Sequence, residues 1–436
     1  MKGLKSKLNR RGFLSLTAKT AALTLATPDL AQALGAVSAK PTGALSILQC
    51  ATTNTTAQFT VDIQKDIKIK IQAVDELGQI HAPVKHSSTI REYSKYRVDK
   101  AIFTNLSLNR IYKLQIINDL GEMLDHRVFR TLDLEMNNPR IAFLSCMRVT
   151  ASSIDEMWQG IPANSPDMLV FLGDNVYGNH SGKAGPDVLW ERYFETRARI
   201  PFYHFYELTP VIATWDDHDF GDNNAEGDYP HKEDSLETFR AFYGQDEGYS
   251  EHLISGPGNA MIFSAFHQHF ALFDGRTNRS TKQKIMFGQN QLEWFYNHRP
   301  QDERPIWLIM GSQFFGAYTK KESYEGCAKE EFNQFLAELK KWPNPVCFVA
   351  GDKHYSEIMD IEPEILGYSS FELTSSSMHS LTRPYSRSNP RRRSIHRHKN
   401  FMLLDIQNTK SGFEAQLKVI GKAAKIEHKD SVFVRR

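Results

Sequence analysis

The sequence predicts an α/β domain that follows a small β-sandwich, and three observations support this prediction. Residues 41–135 contain short runs in which apolar and polar residues alternate, as in strands with one buried face. From Arg140 onward the apolar runs become continuous, as in strands that are buried on both faces. Helical patterns lie between these runs, for example at 329–341 and 189–198. The chain of 436 residues is long enough for two or three domains.

The amino terminus has the pattern of an export signal. The segment Asn9–Leu14, with the sequence NRRGFL, resembles a twin-arginine signal and precedes a moderately apolar stretch. Small-x-small cleavage patterns occur at Ala31–Ala33 and Val37–Ala39. We therefore expect residues 1–39 to be a twin-arginine signal peptide, with a disordered basic tail as the alternative. This predicts the twin-arginine export machinery as a partner, a periplasmic or secreted location, and no stable membrane span.

The charge balance argues against a nucleic-acid partner. The chain has 53 basic and 51 acidic side chains, a net charge of +2. Residues 1–39 contribute six basic residues and one acid, so 47 basic and 50 acidic side chains remain, a net charge of −3. A nucleic-acid-binding domain is typically basic over its working surface. No nucleic-acid-binding partner is therefore expected.

The cysteine spacing matches neither a zinc finger nor a dense disulfide framework. A disulfide between Cys327 and Cys347 is one option in an oxidising compartment, and the spacing leaves it open. The four cysteines are Cys50, Cys146, Cys327 and Cys347.

The first predicted domain, residues 41–135, has strand patterns at Gln58–Ile63, Ile67–Ile71 and Tyr112–Ile117. The stretch Leu106–Phe129 resembles the end of a fibronectin type III-like sandwich. No cluster of catalytic residue types occurs in this part of the sequence. We expect a small β-sandwich that packs against the main domain.

A strongly basic segment lies at residues 383–399, with the sequence RPYSRSNPRRRSIHRHK. It has no apolar periodicity, so we expect a surface loop. One interpretation is a solvated segment without a specific role. The alternative is a lip that attracts anionic substrates.

Five continuous apolar runs each end in polar residues. In open α/β sheets, ligands bind beyond the carboxyl ends of the strands. We therefore expect these polar residues to meet at one rim. The runs and the clusters that follow them are Ile141–Leu144 with Ser145–Cys146, Met168–Leu172 with Gly173–Asp174, Val211–Ala213 with Trp215–His218, Ile306–Met310 with Gly311–Gln313, and Val346–Val349 with Gly351–His354.

The residue types at this rim are those that bind metal ions. Carboxylate, imidazole, thiolate and phenolate groups together suit transition-metal and hard cations. So many carboxylates would repel one another unless cations compensated them. The sequence contains no Gly-x-Ser-x-Gly nucleophile elbow and no phosphate-binding P-loop motif. The candidate residues are Cys146, Asp174, Tyr177, Asp217, His218, Asp352 and His354.

These motifs, in this order, resemble those of the PhoD-like alkaline phosphatases, which are relatives of the purple acid phosphatases among the calcineurin-like metallophosphoesterases. The resemblance spans residues 45–420. It implies a layered two-sheet metallophosphoesterase domain at residues 136–436, which would hydrolyse phosphate mono- or diesters with a metal-activated hydroxide. The motifs that carry it are Ser145–Cys146, Gly173–Tyr177, Trp215–Asp219, Gly351–His354 and Glu372–Ser376.

The resemblance also implies two or more metal ions, Fe³⁺ with Ca²⁺, with Zn²⁺ and Mn²⁺ as the alternatives. Asp174 would bridge two ions, because a carboxylate has two oxygens to share. The other ligands would be Cys146, Tyr177 and His354 on the iron, and Asp217 and Asp352 on the second ion.

The remaining roles concern the phosphate ester itself. His218 would be the catalytic general acid, or a donor to the phosphoryl oxygen. Asn175 and Arg276 are candidate substrate-binding residues. Gly275 departs from the residue usual in the family, so an ion pair is the alternative for Arg276. The alternative for the protein as a whole is a non-catalytic envelope protein on the same fold that binds polyanions.

Overall fold

In the computed structural model, which describes residues 43–150, 153–179, 185–316 and 322–435, the chain is a mixed α/β protein with several sheets. Strands account for 37% of the described residues and helices for 20%. In this described part of the chain, no helix combines the length and the apolar character needed to cross a lipid bilayer. The predicted signal peptide, residues 1–39, lies outside the described residues.

The first strands form two antiparallel sheets that share one core. Their order is β1-β2-β6-β5 in one sheet and β4-β3-β7-β8 in the other. Phe59 and Ala101 of the first sheet are buried with Leu114 and Phe129 of the second. The strands are β1 (Ser46–Thr52), β2 (Ala57–Gln64), β3 (Ile69–Asp75), β4 (Ile80–His81), β5 (Lys85–Ile90), β6 (Tyr96–Phe103), β7 (Ile111–Asn118) and β8 (Met123–Arg130).

The strands that follow form two larger sheets, ordered β11-β10-β9-β20-β21-β22 and β12-β13-β14-β15-β16-β18-β17-β19. Their bounds are β9 (Arg140–Leu144), β10 (Met168–Leu172), β11 (Val211–Thr214), β12 (Leu253–Ser255), β13 (Met261–Ala265), β14 (Gln268–Leu272), β15 (Ile306–Met310), β16 (Val346–Ala350), β17 (Ser356–Ile361), β18 (Ser370–Thr374), β19 (Arg392–His396), β20 (Phe401–Thr409), β21 (Gly412–Ile420) and β22 (Ile426–Arg435).

Helices connect these strands. Short 3₁₀ helices occur at Pro201–His204 and Lys422–Ala424. The α-helices are α1 (Ile154–Trp158), α2 (Gly160–Asn164), α3 (Pro186–Arg199), α4 (Asp217–Phe220), α5 (Lys232–Phe242), α6 (Gly288–Asn297), α7 (Tyr324–Cys327), α8 (Lys329–Leu339) and α9 (Pro363–Leu366).

The five predicted apolar runs are all strands, and every residue of β9 to β11, β15 and β16 is buried except Arg140. Within each sheet these strands lie parallel to one another, so their carboxyl ends point the same way. They do not form one sheet. Strands β9, β10 and β11 belong to the six-stranded sheet, whereas β15 and β16 belong to the eight-stranded sheet.

The two large sheets pack face to face through aromatic side chains. Trp307 of β15 stacks on Phe413 of β21 with ring centroids 4.8 Å apart, and it lies 5.4 Å from Phe143 of β9. All three side chains are fully buried. This packing brings the carboxyl ends of strands from both sheets to the same end of the core.

The prediction of a loop for the whole basic segment 383–399 was wrong over Arg392–His396, which is strand β19. It pairs with β17 at the edge of the eight-stranded sheet. The strand has little apolar character, and ion pairs with acids of β17 hold its arginines in place. Arg392 pairs with the buried Glu357 at 2.5 Å, and Arg393 pairs with Asp360.

The cysteines are all buried free thiols in the structure. Cys327 Sγ donates to the carbonyl oxygen of Ile285, and Cys347 Sγ donates to that of Ile306. The structure therefore holds no disulfide between Cys327 and Cys347, the option that the sequence left open.

A buried arginine joins the sandwich to the larger sheets. Arg197, at the end of α3, donates to Asp62 Oδ1 at 2.9 Å and to Thr60 Oγ1 at 3.2 Å, both on β2. It also donates to the carbonyl oxygen of Phe242 and lies over the Tyr203 ring at 5.1 Å. Burial raises the pKa of Asp62 to about 6, although Arg197 opposes that shift. Each charge of this pair therefore depends on the other for its stability.

We expect Arg197→Leu to lower the free energy of unfolding by about 3 to 5 kcal/mol, because it leaves the Asp62 carboxylate buried without a cation. The double variant Arg197→Leu with Asp62→Leu should lose less than the single variant, because both charges are then removed. Urea denaturation of the three proteins measures both effects. A double variant less stable than Arg197→Leu would contradict this account of the pair.

Candidate metal centre

Two groups of metal-ligand atoms share one residue, Asp174. In the first group, single ligand atoms of Cys146, Asp174 and His354 lie within 4.8 Å of one another, and in the second those of Asp174, Asp217 and His218 do. The first group draws on the ends of β9, β10 and β16, and the second on the ends of β10 and β11. The close approach of the two sheets therefore places ligands from distant parts of the sequence around one carboxylate.

The first group is tightly connected. Cys146 Sγ and Asp174 Oδ2 are 3.4 Å apart, and Tyr177 Oη donates to the same Oδ2 at 3.1 Å. Tyr177 Oη also lies 3.3 Å from His354 Nε2. Tyr177 therefore joins this group as a fourth possible ligand, as the sequence predicted.

The second group centres on Asp217 and His218, the first two residues of α4. The backbone N–H of His218 points at Asp174 Oδ1 from 3.4 Å, and its ring stacks on Tyr177 at 4.2 Å. His218 Nδ1 lies 2.8 Å from Asn179 Oδ1. A carbonyl partner places the proton on Nδ1, so the lone pair of His218 is on Nε2.

The backbone at the site is held in an unusual conformation. Cys146, Asp174, Asp352 and His354 have φ angles of 57°, 53°, 62° and 57°. Positive φ is uncommon in residues other than glycine and costs on the order of 1 to 3 kcal/mol each. Such strain persists only where the surrounding structure enforces it, and it is concentrated at functional sites.

Glycines let the two rims approach each other. A Cβ atom on Gly351 would lie 2.9 Å from both the Leu172 carbonyl oxygen and Ser145 Cβ. Gly173 has φ of 94°, and a Cβ there would lie 2.7 Å from Asp216. A side chain at Gly351 would push the ends of the two sheets apart, whereas one at Gly173 would push apart the ends of β10 and β11 within the six-stranded sheet.

Burial and mutual repulsion disfavour the ionised forms of the first group. Burial and the charge of Asp174 raise the pKa values of Cys146 and Tyr177 well above their usual ranges. Burial and the neighbouring Asp217 do the same to the pKa of Asp174. Among the described residues, no lysine or arginine forms an ion pair with Asp174. The polar partners of this group are the hydroxyls of Ser145, Ser376 and Ser380, described below.

Positively charged side chains of the protein lie next to Asp217 and Asp352 and favour the ionised form of both. Burial acts against ionisation of Asp217, but Arg276 and His218 outweigh it and lower its pKa. Burial likewise opposes ionisation of Asp352, but Lys353 lowers its pKa. Burial lowers the pKa of His218, so its imidazole is neutral at neutral pH.

The predicted residues fall into three sets. Five of the six predicted metal ligands and His218 meet in the two groups around Asp174. Asp352 lies at the same rim but in neither group, and its Oδ2 accepts from Lys353 Nζ at 2.6 Å. Arg276 is fully buried and forms an ion pair with Asp216 at 2.5 Å, the alternative that the sequence left open.

Asn175 is also fully buried. Its Nδ2 donates to the carbonyl oxygen of Thr214, which ties the loop after β10 to the end of β11. Its Oδ1 is buried without a hydrogen-bond partner among the described residues. The structure thus places Asn175 as a buried residue directly after Asp174.

Sequence reasoning missed the groups that orient the ligands. Ser376 Oγ donates to Cys146 Sγ at 3.1 Å and Ser145 Oγ does so at 3.4 Å. Ser380 Oγ donates to Tyr177 Oη at 2.9 Å. A run of four small polar residues, Thr374–Ser377, was visible in the sequence and overlaps the motif Glu372–Ser376, but serine is too common at loops to indicate a role for any one of them. Asn179 had no recognisable signal.

The donor set fits metal ions. A thiol, a phenol, two imidazoles and two carboxyl groups come together in these two groups of buried or half-buried side chains. Among the described residues, no lysine or arginine forms an ion pair with an acid of the first group. A bound cation favours the ionised form of each acid and so reverses the pKa shifts described above. Two groups joined by one carboxylate fit a pair of ions better than a single one.

Comparisons with known proteins add no family. No family model and no curated protein matches the chain. The sensor domain of the anti-sigma factor RsgI4 from Pseudobacteroides cellulosolvens is 15% identical over 21% of this chain and 77% of its own, with a TM-score of 0.17. Amylomaltase from Corynebacterium glutamicum is 12% identical over 49% of this chain and 34% of its own, with a TM-score of 0.16. Neither similarity bears on the fold or the function.

We expect Gly351→Ala to lower the free energy of unfolding by about 1 to 3 kcal/mol, because its Cβ would press on the Leu172 backbone and Ser145. Gly275→Ala is the matched control, since its Cβ would meet only Met310 Sδ at 3.9 Å. Denaturant unfolding of both variants checks this. Equal stabilities would show that the two rims are not closely packed at Gly351.

Proposed function

We propose that this protein is a metal-dependent phosphohydrolase that cleaves phosphate mono- or diesters. The observation that carries the proposal is the pair of ligand groups that share Asp174. Two metal ions held by one bridging carboxylate neutralise phosphate charge and lower the pKa of water, which is the chemistry that phosphoester hydrolysis requires. The resemblance of the ordered motifs to the PhoD-like phosphatases supports the same reaction.

The protein's own residues would hold and orient the reacting groups. Cys146, Tyr177 and His354 would bind one ion with Asp174, and Asp217 would bind the other. His218, fixed through Asn179, would turn Nε2 toward the site, where it would accept a proton or bind an ion. The role that the resemblance implies for His218, as general acid or as donor to the phosphoryl oxygen, stays a prediction.

Two arginines would add positive charge at the site. The Arg148 guanidinium lies 5.9 Å from the Tyr177 ring, and its charge helps to lower the pKa of His218. Arg383 is exposed, and its backbone N–H donates to the carbonyl oxygen of His354 at 3.0 Å. Because substrates of this reaction are anions, cations at this position would favour their binding. This supports the part of the basic segment near Arg383 as a substrate-attracting lip.

The two large sheets and the preceding sandwich also support the proposal. Two face-to-face sheets whose parallel strands end at one rim suit the layered metallophosphoesterase architecture. The preceding sandwich suits a fibronectin type III-like domain, since Tyr112 Oη accepts from the backbone N–H of Ser107 at 2.7 Å, like a tyrosine corner. An exported location and the metal identities Fe³⁺ and Ca²⁺ remain part of this proposal.

Asp174→Asn should lower turnover by about a thousandfold or more and reduce the bound metal, because the amide offers one neutral oxygen in place of two charged ones. Hydrolysis of p-nitrophenyl phosphate and bis-p-nitrophenyl phosphate, with plasma mass spectrometry of the purified protein, measures both.

The matched control is Asp302→Asn. Asp302 pairs with His269 at 2.9 Å and precedes β15, at the amino end of a strand in the eight-stranded sheet. It should keep both metal and activity. An active, metal-loaded Asp174→Asn variant would overturn the bridging role. A folded wild-type protein with neither metal nor turnover would favour the polyanion-binding alternative.

Tyr177→Phe should remove a visible absorption band from the iron-loaded protein, because a phenolate bound to ferric iron absorbs visible light. Tyr193→Phe is the control, since Tyr193 is equally buried and its Oη has no hydrogen-bond partner among the described residues. Absorption spectra of the three proteins at equal iron content decide this. A band that survives in Tyr177→Phe would exclude Tyr177 as an iron ligand.

A further inference from the structure

A buried lysine lies within the second half of the site. Lys353 is 2% exposed, although it follows directly on the rim residue Asp352. Its Nζ donates to Asp352 Oδ2 at 2.6 Å and to the carbonyl oxygen of Glu322 at 2.8 Å. A lysine side chain is rarely buried so completely unless its charge is paired. Lys353 therefore compensates the charge of the Asp352 carboxylate, which lies in neither ligand group.

The charges around Lys353 form a nearly balanced set. Arg276 pairs with Asp216 at 2.5 Å, and its Nη2 lies 3.9 Å from Asp217 Oδ1. Arg279 pairs with Glu322 at 2.9 Å, and Arg276 lies 3.5 Å from the same carboxylate. Within the described residues, this side of the site thus combines three cations with four carboxylates. These are Arg276, Arg279 and Lys353, with Asp216, Asp217, Glu322 and Asp352.

The other side of the site has the opposite character. Cys146, Asp174 and Tyr177 contact one another and serine hydroxyls, and no lysine or arginine of the described chain pairs with their acidic atoms. A bound cation would stabilise the ionised forms of these acids. The two ions of the proposed centre therefore meet very different electrostatic environments.

We propose that Lys353 is a positioning residue that competes with the second metal ion for Asp352, and so makes that ion weakly bound and exchangeable. The inference rests on the proposed metal centre but not on its phosphoester substrate. An ion that bound Asp352 through Oδ2 would displace the Lys353 ammonium from a contact of 2.6 Å, and an ion that bound through Oδ1 would share the charge of the carboxylate with that ammonium. Removal of the ammonium removes the competitor, and the carboxylate that remains attracts a cation more strongly.

The experiment compares wild-type protein with Lys353→Met and Lys353→Arg. Methionine has nearly the same length and no charge, whereas arginine keeps the charge. Equilibrium dialysis with Ca²⁺ alone gives the affinity of the second position, and plasma mass spectrometry gives the tightly held transition metal. We expect Lys353→Met to bind Ca²⁺ at least about tenfold more tightly than wild type. Lys353→Arg should resemble wild type, and the content of tightly held metal should not change in either variant.

Thermal unfolding separates this role from a purely structural one. Without Ca²⁺, Lys353→Met should be less stable than wild type, because Asp352 then lacks its cation. With added Ca²⁺ it should gain more stability than wild type, because a ligand that binds more tightly stabilises the folded state more. Equal Ca²⁺ affinities in wild type and Lys353→Met, with the tight metal present, would overturn the role of Lys353 and leave the centre standing. A loss of both metals in Lys353→Met would show a structural role and also overturn it. No metal in any of the three proteins would overturn the metal centre itself.

Discussion

Asp174 is buried at the end of β10, with Oδ2 facing Cys146 and Tyr177 and Oδ1 facing the amide of His218. Its position connects the two ligand groups, and no cation of the described chain is paired with it. A buried carboxylate in such surroundings is costly, because burial and like charges both oppose ionisation. Burial and like charges therefore favour the protonated form of Asp174 unless positive charge from outside the protein compensates it. The proposed pair of metal ions would supply that charge.

The strain around Asp174 has a structural source in the meeting of two sheets. Ser375 Oγ donates to the carbonyl oxygen of Phe143 and accepts from the backbone of Met402, so the end of β18 is tied to the six-stranded sheet. Glycines at the rim remove the side chains that would prevent this approach. The left-handed backbone at the ligand residues is held by these contacts rather than by local sequence preference. Local strain of this kind fixes ligand atoms before any ion binds.

The distribution of cations divides the site into unequal halves. Arg276 and Lys353 are both buried and both paired with acids on the side of Asp217 and Asp352. Electrostatic compensation there comes largely from the protein. Such pairs add little net stability, because desolvation consumes most of the Coulomb gain, but they control which carboxylates remain available to a ligand. In the proposed metal centre, this asymmetry would place a tightly held ion beside an exchangeable one.

Much of the site could be predicted from the sequence, because the burial of each strand is visible in the residues of that strand. Continuous apolar runs identified β9, β10, β11, β15 and β16, because strands buried on both faces need apolar residues throughout. The polar residues after each run were therefore predicted at one rim, where the structure brings Cys146, Asp174 and His354 together. Strand β19 was missed, because its arginines are held by ion pairs across the sheet and leave no apolar period.

Sequence by itself determined which residue types stand at the ends of the strands. Only the tertiary structure decided that the five strands divide between two sheets, and that Asp352 pairs with Lys353 while Arg276 pairs with Asp216. Only the tertiary structure also places Ser376 beside Cys146 and Ser380 beside Tyr177, more than 200 residues apart in the chain, and Asn179 beside His218. The physical reason is that a strand's pattern reports its own burial, whereas the partner of a buried charge is set by whichever distant segment packs against it.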